Sequence, residues 1–213
     1  MDLCLEYIKD EVRRKLCSDA TGHDYFHVER VAKLAGQMAQ AEEADGLVCQ
    51  VAGFLHDYCR PDEKERGISH TGEEALCLIR DVLKASGLDE RRREMVMECI
   101  AQHEYYPHLG GVAPRLMESR ILQDADRLDA IGAIGIARAF MFAGAHGNPM
   151  YLPEAGRENA GTKSAVAHFY EKLFLLAGEM HTKAGQKTAA HYHKVMKQFL
   201  EEFYDQWECR VEH

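Results

Sequence analysis

The sequence predicts an all-α chain, folded as a single globular helical bundle, and three observations carry that prediction. Apolar residues recur at helical spacing along most of the 213 residues. Only five prolines interrupt them, so long stretches run without a breaker. No stretch alternates apolar and polar residues long enough to make a strand, and there is no internal repeat or low-complexity tract. The length suits one domain over 1–213, with a core over about 20–140 and C-terminal helices over 163–209 packed on it.

The elements follow in order. Residues 2–17 place Leu3, Tyr7, Ile8, Val12 and Leu16 on one helical face, and 18–22 form a turn. A second helix starts near Asp24, its expected N-cap, and runs to about Ala44, where Asp45-Gly46 breaks it. A strongly apolar third helix covers 47–57, and the polar segment 59–69 is expected to be a loop. A fourth begins near Ser69-His70 with Thr71 in a capping pattern, packs through Leu76, Ile79 and Leu83, and ends at Gly87. The fifth spans about 89–104, and a loop over 105–114 separates it from the sixth at about 115–130. IGAIGIARAFMFAG is apolar on most sides and is expected to be a central helix. Residues 144–162, rich in Gly and Pro, are expected to form a mobile flap. Two helices, about 163–178 and 183–209, complete the chain.

Composition narrows the function. The net charge of −9 argues against wrapping a long nucleic acid but leaves room for a small phosphorylated substrate. Seven cysteines without a CxxC pair fit reduced thiols rather than a zinc knuckle. No apolar run reaches spanning length and MDLCLEYIKDEVRRK lacks a signal-peptide profile, so the expected setting is cytoplasmic, away from membranes.

Four short stretches break the apolar pattern with ionisable side chains. Asp124 shares a helical face with Ile121, Leu128 and Ile131, where an unpaired carboxylate costs on the order of 3–5 kcal/mol. His27 heads a stripe of Val31, Leu34 and Met38. His56 and Asp57 close the apolar run LVCQVAGFL. His103 ends a stripe of Val96, Cys99 and Ile100. One divalent cation shared by these groups satisfies most of them together, because imidazole nitrogens and carboxylate oxygens suit a borderline or hard ion. His103 is open to three roles: a further ligand, a contact to substrate phosphate, or a satisfied core histidine. His70 is either a site residue or an ordinary polar residue at a helix start. Asp24 is read first as an N-cap, with a supporting contact to the first ligand as the alternative. Arg60, Lys64 and Arg66 follow the His-Asp pair; such charges are mostly just solvated, but these are placed to meet an anionic substrate, and Arg127 follows Asp124 closely enough for a local ion pair.

The order His27, His56-Asp57, Asp124 resembles the HD superfamily of metal-dependent phosphohydrolases. DADRLDAIGAIGIARAF and TKSAVAHFYEKL are similar to a bacterial subfamily that cleaves nucleoside triphosphates to monophosphate and pyrophosphate. The likeness covers about residues 20–205 and is most specific over 122–140. It implies a helical HD-type domain in which His27, His56, Asp57 and Asp124 bind one ion, Mn2+ or Mg2+ foremost, with Fe2+, Ni2+ or Zn2+ as the other candidates. His70 in HTGEEA and His103 in HEYY match the histidines that hold a second ion in two-metal relatives. The subfamily tends to carry an arginine where this chain reads AAHYHKVM, so no substrate contact is carried over to the last helix.

The implied chemistry is metal-assisted hydrolysis of a phosphoester or phosphoanhydride, with a nucleotide as the expected substrate. Asp57, His103 and Glu104 are the candidate catalytic residues. His70, Arg60, Lys64 and Arg127 are the candidates for contacting the substrate, and Glu104 and Asp126 are the candidate general bases by proximity in sequence. Two alternatives are carried: a di-iron oxygenase on the same helical site, and a non-catalytic nucleotide-binding sensor.

Overall fold

A computed structural model describes residues 3–16, 24–67, 69–70, 72–103 and 113–210. Among them every regular element is helical, so the fold class is all-α. The helices are α1 (Leu3–Leu16), α2 (Tyr25–Ala41), α3 (Gly46–Leu55), α4 (Arg60–Arg66), α5 (Glu73–Ala85), α6 (Glu90–Ala101), α7 (Met117–Asp129), α8 (Gly132–Ala145), α9 (Ala165–His168), α10 (Phe174–Leu176) and α11 (Lys183–Trp207). No single helix among the described residues is long and apolar enough to cross a membrane.

The chain divides into two compact units. One holds Met1–Asp126 with His181–Ala184, the other Arg127–Met180 with Gly185–His213. In the first unit α3 is the hub, in contact with α1, α2 and α6. Its sequence explains this: Val48, Cys49, Val51, Ala52, Phe54 and Leu55 are buried, which leaves almost no polar face. Its start is fixed by Asp45, whose carboxylate accepts from the backbone N–H groups of Leu47 and Val48, satisfying donors that a helix N-terminus leaves unpaired. The approach of α2 to α3 depends on Gly53, where a Cβ would come within 2.6 Å of the Ala32 Cα. Three residues further on stands His56.

In the second unit Phe140 of α8 packs against Phe169, Phe199 and Phe203, with ring centroids 5.7–6.1 Å apart. These contacts group α8 with the C-terminal helices in one unit.

Three expectations need correction. Residues 59–69 contain a helix, not only a loop. Pro61 is tolerated in its first turn, Asp62 and Glu63 favour its positive end, and Gly67 closes it at φ 68°. The segment α8 is not central, because Ile134, Met141 and Phe142 stand exposed on one side while its small residues Gly135, Ala139 and Ala143 are buried. The expected continuous helix at 163–178 holds a π turn at Phe169–Leu173 between α9 and α10.

The stretch 144–162 is anchored rather than free over its second half. The buried Asn159 accepts from the Leu152 N–H and donates to the carbonyls of Leu152 and Gly156, while Ser164 Oγ donates to its side-chain oxygen. Thr71, the turn at 18–22 and most of the loop at 105–114 lie outside the described residues.

Candidate metal centre

Four elements of the first unit each deliver ligand-type side chains. His27 stands in the first turn of α2, where Asp24 caps the helix by accepting from the His27 backbone N–H at 2.9 Å. His56 and Asp57 follow the last residue of α3, in a turn rather than inside the helix. His103 follows α6 in the same way, and His70 lies just before α5. All five side chains are buried.

Two groups of donors result. His27, His56 and Asp57 bring ligand atoms within 4.8 Å of one another, and so do Asp57, His70 and His103. Asp57 belongs to both. Its Oδ2 is 3.5 Å from His27 Nε2 and 3.6 Å from His56 Nε2. The rings continue edge to face, 5.3 Å from His27 to His56, 5.4 Å from His56 to His103 and 5.8 Å from His103 to His70.

Local backbone orients two of these rings. His56 Nδ1 lies 2.9 Å from the Gly53 carbonyl and His103 Nδ1 lies 2.8 Å from the Ile100 carbonyl, each three residues back in the preceding helix. A carbonyl can only accept, so Nδ1–H donates and Nε2 keeps its lone pair. This is the arrangement by which metal-binding histidines are usually held. His56 Nε2 is buried without a hydrogen-bond partner, a costly state that a cation would relieve.

Burial lowers the pKa of His56 to about 4, against the pull of Asp57 and Asp126, so the ring is neutral near pH 7. A stability effect follows. His56 is 1% exposed, and in the unfolded chain its pKa returns to about 6.5. In metal-free protein its contribution is complete above pH 6.5 and is lost as pH falls toward 4. The loss amounts to about 3 kcal/mol at 1.36 kcal/mol per unit. Urea unfolding in chelator between pH 7 and 4 is expected to show a larger loss in the wild type than in His56→Gln, where His168 and His193, also lowered by burial, still titrate.

The fourth group at the first set of donors is Asp126, not Asp124. Asp126 Oδ1 lies 3.5 Å from His27 Nε2 and 3.8 Å from His56 Nε2, with 34% of its side chain exposed. Burial pushes its carboxyl up, but His56 and His27 outweigh that and hold it below the usual carboxylate range. The Asp124 carboxylate, fully buried, is instead taken by backbone and hydroxyl donors. It accepts from His181 N at 2.9 Å, from Thr182 N at 2.8 Å and from Thr182 Oγ1 at 2.8 Å. The expectation that Asp124 is the ligand is corrected accordingly: its burial is answered by residues 181–182. Beside it, Gln123 Nε2 donates to the Gln102 carbonyl at 2.5 Å and Gln123 Oε1 accepts from His181 Nε2 at 2.8 Å.

Among the expected substrate contacts, Arg60 faces inward. Its Nε donates to Asp57 Oδ1 at 3.0 Å and its Nη1 to Glu63 Oε2 at 2.9 Å. Glu63, missed in the sequence because its segment was read as loop, also stands 3.0 Å from His70 Nδ1. Burial raises the Glu63 carboxyl, yet the bonds from His70 and Arg60 hold it below its ordinary value. Arg127 belongs to the second unit, where it is buried and donates to the Glu179 carbonyl at 2.7 Å. Glu104 and the side chain of Lys64 lie outside the described residues.

Known proteins share this arrangement of the chain. The family model of the HD domain matches residues 24–131, which include His27, His56, Asp57, His70, His103 and Asp126. The protein YpgQ of Bacillus subtilis is 36% identical over 200 residues, covering 92% of this chain and 89% of its own length. A crystal structure of YpgQ in complex with ADP superposes at a TM-score of 0.74 with 31% identity, covering 95% of this chain and 97% of that one. An HD-superfamily hydrolase from Bacillus thuringiensis superposes at 0.77 with 33% identity, covering 97% of each chain. The helical fold, the convergent histidines and aspartates and these similarities lead to one conclusion: the chain belongs to the HD domain family and carries the fold of its hydrolases.

Proposed function

We propose that this protein is a divalent-metal-dependent phosphohydrolase acting on nucleotides, taking a nucleoside or deoxynucleoside triphosphate to the monophosphate and pyrophosphate. The observation that carries the reading is Asp57, shared by two donor groups, in each of which one histidine, His56 or His103, is oriented through Nδ1. The ADP bound to YpgQ supports a nucleotide as the class of ligand.

His27, His56, Asp57 and Asp126 would hold one ion, and Asp57, His70 and His103 a second. Donors of this kind suit Mn2+ or Mg2+, with Fe2+, Ni2+ and Zn2+ as the other candidates. A divalent ion supplies charge withdrawal from a phosphoryl oxygen and lowers the pKa of water. The side chains do the rest. Neutral His56 keeps its Nε2 lone pair, which a bound ion would take, and Arg60 fixes Asp57 by one oxygen so that the other faces His27 and His56. Asp126, partly exposed, is the acidic group best placed to meet water entering the centre. The free thiols of the described cysteines accord with the cytoplasm as the place of action.

The test is a panel of nucleotides and phosphorylated metabolites offered to metal-stripped protein reloaded with each ion. Pyrophosphate release from a triphosphate with Mn2+ or Mg2+ is the expected result. Absence of both phosphate and pyrophosphate with every ion would overturn the proposal. The second donor group also favours a di-iron oxygenase as a second reading, which requires two irons per chain and consumption of dioxygen. Nucleotide binding without turnover would support a sensor.

A further inference from the structure

We infer that Glu63 is a positioning residue for the second ion: its carboxylate takes the Nδ1 side of His70 and so turns the other ring nitrogen toward Asp57 and His103. The inference rests on the two-ion part of the function proposed above.

The argument starts from how each histidine is held. His56 and His103 follow a helix, and each uses a carbonyl three residues back to fix Nδ1. His70 precedes its helix, and its Nδ1 is met by Glu63 Oε2 at 3.0 Å. The same oxygen accepts from Arg60 Nη1, and Arg60 Nε holds Asp57 Oδ1. Glu63 and Arg60 lie three residues apart on α4, so one short helix presents both to the centre. A continuous run of polar contacts thus leads from Asp57, common to both donor groups, to His70, which belongs to the second alone. A carboxylate behind a ligating imidazole fixes its tautomer and raises its basicity, and losing such a partner costs about 10–100-fold in metal affinity. The role depends on α4 forming, because a loop at 60–66 would not hold Arg60 and Glu63 on one face.

The experiment is calorimetric titration of metal-free protein with Mn2+, comparing wild type, Glu63→Ala, Glu63→Met and Glu63→Gln. Glu63 is partly exposed and all three replacements are helix formers, so folding is expected to persist and is checked by circular dichroism. The wild type is expected to bind two ions. Alanine and methionine are expected to leave the tighter ion unchanged and weaken the other by about 10–100-fold, with glutamine, whose amide oxygen still accepts, in between. An ion pair that merely steadied α4 would lower Tm and leave both affinities alone. Two ions in the wild type with unchanged affinities in Ala and Met overturn the inference by itself. One ion in the wild type overturns it together with the two-ion reading, and single-ion hydrolysis is then judged by the substrate panel.

Discussion

Asp57→Ala is expected to empty both donor groups and abolish hydrolysis while leaving the helices in place. Asp57 is the one residue that the two groups have in common, so its loss removes a ligand from each. The effect should exceed the about 10–100-fold that follows loss of a supporting partner, because under the proposed function the shared donor itself is removed. The helices are expected to persist because Asp57 lies past the end of α3, in a turn. The variant also leaves Arg60 without its carboxylate, which Asp57→Asn partly avoids by keeping an acceptor oxygen. Metal analysis after dialysis, turnover, and far-ultraviolet circular dichroism on the same sample separate these effects. A variant retaining full turnover would contradict the assignment.

Two aspartates only two residues apart are expected to give opposite phenotypes. Asp124→Ala leaves the N–H groups of His181 and Thr182 and the Thr182 hydroxyl without their common acceptor. Each stranded donor costs about 1–3 kcal/mol, and removing the buried charge that paired them brings the expected loss to about 3–5 kcal/mol. Urea unfolding measures it, and metal affinity of the folded fraction should be near wild type. Asp126→Ala is expected to move stability by no more than about 1 kcal/mol, since its side chain is 34% exposed, and to strip the first ion. If Asp124→Ala lost the ion at full stability and Asp126→Ala kept it, the roles given to the two residues would have to be exchanged.

The same pair marks how far the sequence could be read. Helical periodicity was enough for the fold class and for most helices, because apolar stripes such as Val96, Cys99 and Ile100 are buried as their spacing requires. That His27, His56, Asp57 and His103 come together as buried donors was foreshadowed by each interrupting such a stripe. The stripe rule then selected Asp124, which is indeed fully buried, but burial states only that a partner is needed. The partner came from residues 181–182, far along the chain, and no local pattern announces that. Asp126 was singled out only as a candidate general base, and its place beside His27 and His56 was missed for the converse reason. Its side chain is 34% exposed, and in the sequence such a residue looks like any solvated acid. Glu63 and the inward turn of Arg60 were hidden by reading RPDEKERG as loop, although Pro early, acids in the first turn and Gly at the end are helix punctuation.

The exits of α3 and α6 have one more consequence. His56 and His103 both leave the carboxyl ends of their helices, where peptide dipoles leave a residual negative potential equivalent to about half an elementary charge each. Asp57 and Asp126 add to that negative potential, so these side chains together favour cations over anions. Under the proposed function, the expected order is cation first, or cation already complexed to the nucleotide, with a bare triphosphate anion disfavoured.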